Sequence, residues 1–442
     1  MKQMILLTTM IFSAMGSTIF SQESQSPPHW KFGYVTVYRI EDTASGFPPE
    51  VFPTVEKATF DKYATDGKIP SSVSAFLLEV PGLYKKTEIL ENRETRTLEN
   101  GYVLFDAGMG MPNGNLVANL GKAMFGGYQP EKVMLVLITH AHADHIGGLL
   151  DGDARRFPNA KVLCSQPEYD HWSKQNNAVF ERVKKAYGDD FRGGLVFDQG
   201  FALTNSETKF ELIPIEDNKK INDMFQRGLV TITPLNAVGH TPGHTAFLIE
   251  SSGEKMMIIG DLLHGAALQF PMPEVCTRYD MNQAEAVKSR RRILDMAVKE
   301  NIPIGGVHFP SPGIGFVKKN AAGGYDFSPI KKTLFIDHRW NGNDSADYQK
   351  SILVNYVKNG KYLQDRPAAE ALAWLEAELQ TGNVTIIEVF DCEKRENKGS
   401  EGFNREIVRL SEKYQVPYSM QGNGDVFPGL PVKIHFPQKT KP

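Results

Sequence analysis

Apolar residues in this chain cluster in short runs more often than in helical stripes. The runs 32–39, 73–80 and 102–106 are rich in β-branched and aromatic residues and are bounded by glycine and proline, which predicts strands. Residues 133–139 (VMLVLIT) are continuously apolar, as in a strand buried on both faces. Further strands are predicted at 210–215, 229–235, 245–250, 255–260 and 302–307. A short helix is read at 115–125, polar helical stretches across 166–187 and a basic helix at 282–300. The chain therefore reads as α/β, and its reactive side chains repeatedly follow strand ends, where α/β proteins place their sites.

A shift in composition at 320–330 (NAAGGYDFSP) divides the chain into a first domain over 22–325 and a C-terminal α/β extension over 326–442. In the extension, strand-like runs occupy 333–337, 384–390 and 432–436, and helices are expected near 345–358, 367–380 and 403–414. The charged stretch 391–402 is expected to be exposed, and nothing in the extension has catalytic spacing. A homodimer contact, a lid or a binding role are all open to it.

The start of the chain has another character. Lys2 precedes an apolar run from Met4 to Phe12, followed by the small residues Ser13, Ala14, Gly16, Ser17 and Thr18, with a cleavage point after Ser21. This is the pattern of a signal peptide over 1–21, and the run is too short for a membrane span. The expectation is an exported protein, periplasmic or secreted, with no stable membrane span. Residues 22–30 read as a polar linker.

Composition narrows the function. With 442 residues, 41% of them hydrophobic, the chain can bury a large core without disulfide or metal staples. A net charge of −3 leaves no basic excess for a phosphate backbone, which argues against a nucleic-acid partner. The three cysteines, Cys164, Cys276 and Cys392, are too far apart for a CxxC zinc or redox pair.

Histidine carries the chemistry. Most of the eleven histidines fall between 140 and 308, and the sharpest group is His140-Ala-His142-Ala-Asp144-His145, directly after the run 133–139. A spacing of two in extended backbone puts His140 and His142 on one side, where both can hold one cation. Asp144 and His145 follow as the chain turns and can face a second cation. Completing ligands are available in His240 of GHTPGH (239–244), Asp261 at the end of 256–260 and His308 after 302–307. The count then closes: His140, His142 and His240 for one ion, Asp144, His145 and His308 for the other, and Asp261 between them. Imidazole and carboxylate without thiolate suit two divalent ions, zinc first, with manganese, iron or cobalt as alternatives. Such a pair can activate a bridging water and stabilise the oxygen it attacks.

The pieces Asp106 in LFDAG, the 140–145 group, GHTPGH, Asp261 in IIGD and His308 come in an order that resembles metallo-β-lactamase-fold hydrolases over about residues 32–320. The segments 260–275 and 307–315 resemble more particularly the subgroup with N-acyl-homoserine-lactonase-like enzymes and methyl-parathion-hydrolase-like phosphotriesterases. The resemblance implies an αββα sandwich and the metal roles already counted. It makes Asp106 an outer partner that orients the ligand loop, and it prefers His240 to His244 as ligand, leaving His244 structural. It implies a dinuclear metal-dependent hydrolase whose bridging hydroxide attacks a small lactone or ester, with Asp144 and Asp261 in the reacting centre. Apart from the resemblance, His264, three residues after Asp261, is placed either to donate a hydrogen bond to a carbonyl or phosphoryl oxygen or to serve in packing. Phosphotriester, thioester and β-lactam hydrolysis are the alternatives, and a metal-binding interaction protein is the non-enzyme reading. Met109, Met111, Phe125, Phe270 and Met272 are expected either to line an apolar pocket or to be core. The run Arg290, Arg291 and Arg292 is expected on a solvated face, and His29, His171, His338 and His435 as surface or satisfied core.

Overall fold

The computed structural model describes residues 29–90, 93–123, 129–205, 210–214, 230–330, 332–340, 347–358, 361–380, 384–391, 398–414, 416, 418–422 and 434–435. The signal segment 1–21, most of the linker, Phe125 and Cys392 lie outside the described residues.

Two sheets build the first region. One has seven strands in the order His29–Phe32, Val35–Phe47, Ile69–Leu90, Arg93–Phe105, Val133–Leu137, Lys161–Ser165 and Phe191–Leu195. The other has eight, in the order Phe210–Pro214, Phe201–Asn205, Val230–Asn236, Thr245–Ser251, Glu254–Ile258, Ile304–Gly305, Ile314–Lys319 and Tyr325–Pro329. Their facing sides share one core, with Phe76, Phe105, Leu135 and Leu137 from the first sheet against Phe247, Ile249 and Ile258 from the second. Phe105 and Phe247 meet with ring centroids 5.3 Å apart. Val133, Val136 and Ile138 point the opposite way, into a second core with Phe157, Phe180 and Tyr187. The run 133–139 is therefore buried on both faces, which is why it carries no polar alternation. A third core packs Leu235, Ile259 and Ile304 against Ile293, Leu294 and Ala297 of the helix Gln283–Glu300. The layers are helix, sheet, sheet, helix, as expected for an αββα sandwich.

Two details differ from the sequence expectation. The strand foreseen over 302–307 pairs only at Ile304–Gly305, because the chain then turns out of the sheet. Gly306 there is held by its N–H to Gly313 O, with the Phe309 ring where a side chain would start. The strand Tyr325–Pro329 pairs with Ile314–Lys319, so the sandwich sheet continues past residue 325 to Pro329, and Ile330 still packs in its core.

The later residues form a six-stranded sheet with its own core, including Ile336, Val354, Ile387, Trp374 and Phe403. Its strands Lys332–Trp340, Val384–Asp391 and Tyr418–Gly422 are parallel neighbours, with the helices Ala368–Gln380 and Lys398–Tyr414. The helix expected near 345–358 is a single turn, Tyr348–Ser351, followed by the strand Ile352–Lys358. The β-branched run ILV-YV explains the change. Among the described residues, no helix is long and apolar enough to cross a membrane.

Candidate functional site

The site lies where loops from both sheets meet at one edge. After Val133–Leu137, Thr139 leads into His140, and His142 caps the short helix Ala143–Ile146. This brings His140, His142, Asp144 and His145 together from the first sheet. The second sheet supplies His240 after Val230–Asn236, Asp261 in the turn after Glu254–Ile258, and His308 beyond Ile304–Gly305. The Thr245 N–H donates to Thr139 O at 2.9 Å and ties the two sheets together beside the site.

All seven residues counted from the sequence converge. His142 Nδ1 lies 2.9 Å from His140 Nε2 and 3.1 Å from His240 Nε2. Asp261 Oδ2 lies 3.6 Å from His140 Nε2, 3.4 Å from His240 Nε2 and 3.0 Å from His308 Nε2. Asp144 Oδ2 stands 3.7 Å from both His145 Nε2 and His308 Nε2. Four donor groups result among the described residues, the atoms of each within 4.8 Å of one another: His140–His142–His240–Asp261 and Asp144–His145–His308, which match the sequence count, and His240–His264–Asp280 and Asp261–His264–His308, which overlap them. Asp261 stands at the junction of the first two. His264 joins here too: its Nε2 is 3.2 Å from Asp261 Oδ2 and its ring stacks on His308 at 5.1 Å.

The outer nitrogens explain why the inner ones face each other. His140 Nδ1 is 3.1 Å from Thr139 Oγ1, His308 Nδ1 donates to Ser72 O at 2.7 Å, and His145 Nδ1 donates to Asp106 Oδ2 at 2.8 Å. Each outer partner fixes the ring and leaves Nε2 toward the centre. Asp106 also accepts from Thr139 N–H and Oγ1–H, both at 2.8 Å. Its backbone is left-handed, with φ 57°, an uncommon conformation for a residue with a side chain. His244 is spent on structure: Nδ1 donates to Ala237 O and Nε2 accepts from Asp261 N–H. It thereby orients Asp261 without entering any of the donor groups.

Three buried residues of the site were not legible as such in the sequence. Asp280 accepts from His240 Nδ1 at 3.0 Å. Arg290, expected on a solvated face, is fully buried; its Nε donates to Leu262 O and its Nη1 to Pro273 O and Val275 O, each at 2.7 Å. The spacing Ala286, Arg290, Ile293, Leu294, Ala297 shows why: Arg290 lies on the apolar stripe of its helix. Glu168 accepts from Ala141 N–H, Trp172 Nε1–H, Thr241 Oγ1–H and Gly243 N–H, and so joins the loop of His140 to the loop of His240.

Electrostatics divide the site. Burial pushes His140 well below the usual histidine range and His142 down to about 4, with neighbouring imidazoles adding to the effect. His145 and His308 are raised, because carboxylates, Asp261 foremost, outweigh the burial that opposes the cation. Burial also disfavours the Asp261 carboxylate, yet His145, His308 and His140 hold it well below the ordinary range. His145 Nε2 and Asp261 Oδ1 face each other as a buried ion pair at 3.2 Å, and neither makes a hydrogen bond among the described residues. Imidazole nitrogens and carboxylate oxygens converging in a buried cluster, some without a hydrogen bond among the described residues, fit a cation and suit metal binding.

The remaining expectations divide as follows. Met109 and Met111 are exposed, and with Ala143, Gly147, Leu150 and Val179 they border a cleft of about 280 Å³ beside the ligand helix. Phe270 is core, stacked on Phe327 at 4.9 Å, and Met272 packs on the cluster of Phe52 and Phe60. His338 is buried in the third sheet, its Nε2 3.0 Å from Asn404 Oδ1. Cys164 and Cys276 are free, buried thiols, both pushed up by burial.

Fold and site together define an αββα sandwich with a histidine–aspartate centre at one edge of its paired sheets. Residues 97–305 match the family model described as "Metallo-beta-lactamase superfamily", and this stretch is a metallo-β-lactamase superfamily domain. Among curated proteins, the uncharacterized protein YobT of Bacillus subtilis (strain 168) is 32% identical over 174 residues, 37% of this chain and 62% of YobT. N-acyl homoserine lactonase AttM of Agrobacterium fabrum (strain C58) is 28% identical over 134 residues, 30% of this chain and 42% of AttM. The chain thus spans less than two thirds of the length of either relative. The solved structure of AidC, a dizinc quorum-quenching lactonase in complex with a product, superposes with a TM-score of 0.53 at 22% identity, covering 70% of this chain and 99% of AidC. The hydrolase AbOPH gives 0.52 at 23%, again covering 70% and 99%. At these identities the structural likeness speaks for the fold.

Proposed function

We propose that this protein is an exported, dinuclear metal-dependent hydrolase of lactonase type. The observation that carries the reading is the convergence of two donor sets on one carboxylate, Asp261. His140, His142 and His240 would hold one divalent ion, Asp144, His145 and His308 the other, and Asp261 would be shared; zinc is the first choice for such ligands. When bound, two such ions supply Lewis acidity and a water acidic enough to act as a nucleophile near neutral pH.

The protein's own groups do the rest. Asp106, Thr139 and Ser72 O hold the inner imidazole nitrogens toward the reacting space. His264 is anchored by its N–H to Gln269 Oε1 at 2.7 Å, and Phe47 covers it at 5.8 Å and His308 at 5.4 Å. Its Nδ1 is buried without a hydrogen-bond partner among the described residues, and its ring is held toward the neutral form chiefly by burial. With its single proton on Nε2, 3.2 Å from Asp261 Oδ2, a neutral imidazole there can donate to an oxygen at the centre as negative charge builds on it. The cleft by Met109 and Met111 is also lined by Asn113, Arg156 and Arg182, so it can take an acyl chain on its apolar part only, and the likeness to AttM favours lactones over phosphotriesters, thioesters and β-lactams.

The test is metal content by elemental analysis, followed by turnover of a substrate panel by the loaded protein. About two ions per chain and preferential lactone hydrolysis are expected, with specificity constants rising as the chain lengthens, by up to ~0.8 kcal/mol per buried methylene. Efficient phosphotriester or thioester cleavage without lactone turnover would overturn the substrate class and leave the metal reading intact.

A further inference from the structure

The three-histidine half of the centre has an outer partner of its own. His240 Nδ1 meets Asp280 Oδ1 at 3.0 Å, while Asp280 Oδ2 accepts from Thr277 N–H at 2.8 Å and faces Arg290 Nη2 at 3.7 Å. The Asp280 and Arg290 side chains are 0% and 1% exposed. Through Nε, Arg290 also reaches Leu262 O, the carbonyl next to Asp261. One guanidinium thus stands behind two of the proposed ligands, carried by separate loops. Backbone contacts reinforce it. Met281 N–H donates to His240 O and Asn282 N–H to Gly239 O. Gly239 lies so close to the first turn of Gln283–Glu300 that an added Cβ would sit 2.1 Å from Ala286 N.

We propose that Asp280 and Arg290 are a positioning pair that fixes the ring of His240, so that its Nε2 faces the His140–His142 half of the centre and stays in register with Asp261. The pair touches no reacting atom. It does for His240 what Asp106 does for His145, but it is locked by a cation where Asp106 is held by the neutral donors of Thr139. Each half therefore has its own carboxylate on a ligand ring, although Asp106 also reaches His140 at one remove through Thr139 Oγ1. The inference rests on the two-ion reading above.

The test is stepwise zinc affinity, by chelator competition, of the full chain and of Asp280→Asn, Arg290→Lys and Asp106→Asn. Loss of an outer partner should cost about 10–100-fold in affinity. Asp280→Asn should weaken the ion held by His240, and Asp106→Asn chiefly the other, with a smaller loss passed to His140 through Thr139. Combining Asp280→Asn with Asp106→Asn should multiply the losses, while combining it with Arg290→Lys should add little, since those two act as one device. A folded Asp280→Asn that keeps both affinities, or losses that fall chiefly on the same ion in Asp280→Asn and Asp106→Asn, would overturn the pairing. Should Asp280→Asn not fold, nitrogen NMR of the wild-type chain decides: a slowly exchanging Nδ1–H on His240 is expected, and a proton on Nε2 instead would overturn it. A wild-type chain that saturates below two ions would sink the two-ion reading, and the His240 proton position, read on the metal-free chain, would still test the positioning.

Discussion

The two halves of the centre lie against the same carboxylate, yet they are prepared for a cation in opposite ways. Around His140 and His142 the imidazoles crowd one another in a buried space, and burial keeps them neutral. Around His145 and His308, the carboxylates of Asp261 and Asp144 hold protons on the rings. One half stands ready to accept an ion, whereas the other must exchange protons for it. The lesson is that ligand identity alone does not set a site's character: the ratio of carboxylates to imidazoles around each nitrogen does.

The largest expected effect comes from removing what the halves share. Asp261→Asn should leave at most one tightly bound ion and lower turnover by more than the roughly hundredfold upper range for an outer partner. Retention of two ions and near-full activity would refute the shared-ligand assignment. Asp106→Asn should cost about 10–100-fold, concentrated in the half containing His145. An equal loss in both halves would erase the contrast drawn here.

Acidity sharpens the comparison next. His145 and His308 bind protons more tightly than an ordinary histidine, so an entering ion must displace them. Affinity in that half should rise with pH, by about tenfold per unit for each proton displaced, with measurable proton release in weak buffer. The His140 and His142 rings themselves should contribute little pH dependence between about pH 5 and 7, since His142 titrates only near 4 and His140 is also lowered. Chelator competition across this range checks both slopes; two parallel slopes would contradict the division. Activity should fall on the acid side accordingly.

Gly239→Ala probes the ready half by backbone alone. With φ at 131° and Ala286 N in the way, it should cost more than about 1 kcal/mol of stability, read as a lowered melting temperature. An unchanged melting temperature would show that the loop has room to shift. The smallest effect is expected from ending the chain after Ile330. That cut keeps the strand Tyr325–Pro329, and every proposed ligand lies before it. Loss of metal by a folded truncated chain would show that the third sheet completes the site.

What could be read from the sequence was what is local. His140, His142, Asp144 and His145 lie within six residues, and the apolar run before them fixes their strand. The glycine-flanked His240 and the strand-end positions of Asp261 and His308 were legible for the same reason. Asp280 and Glu168 were not, because their roles depend on contacts with loops that only the fold brings near. Arg290 was misread by its company in a basic triplet, although its helical phase with Ala286, Ile293 and Ala297 held the correction. The helix expected near 345–358 failed where a β-branched run outweighed the polar residues before it.

The distribution of ligands over both sheets has a consequence for how the centre comes into being. During synthesis the segment 140–145 emerges first and can already chelate metal, long before His240, Asp261 and His308 exist to complete the set. Bringing these late partners home requires the long-range closure of the second sheet onto the first, the slowest kind of contact to form. Until that closure, metal held by the early histidines also stabilises the unfinished chain and so offsets part of what the completed set gives the finished one. Productive loading is thus expected to be a closing event of folding, and free metal offered too early should retard maturation.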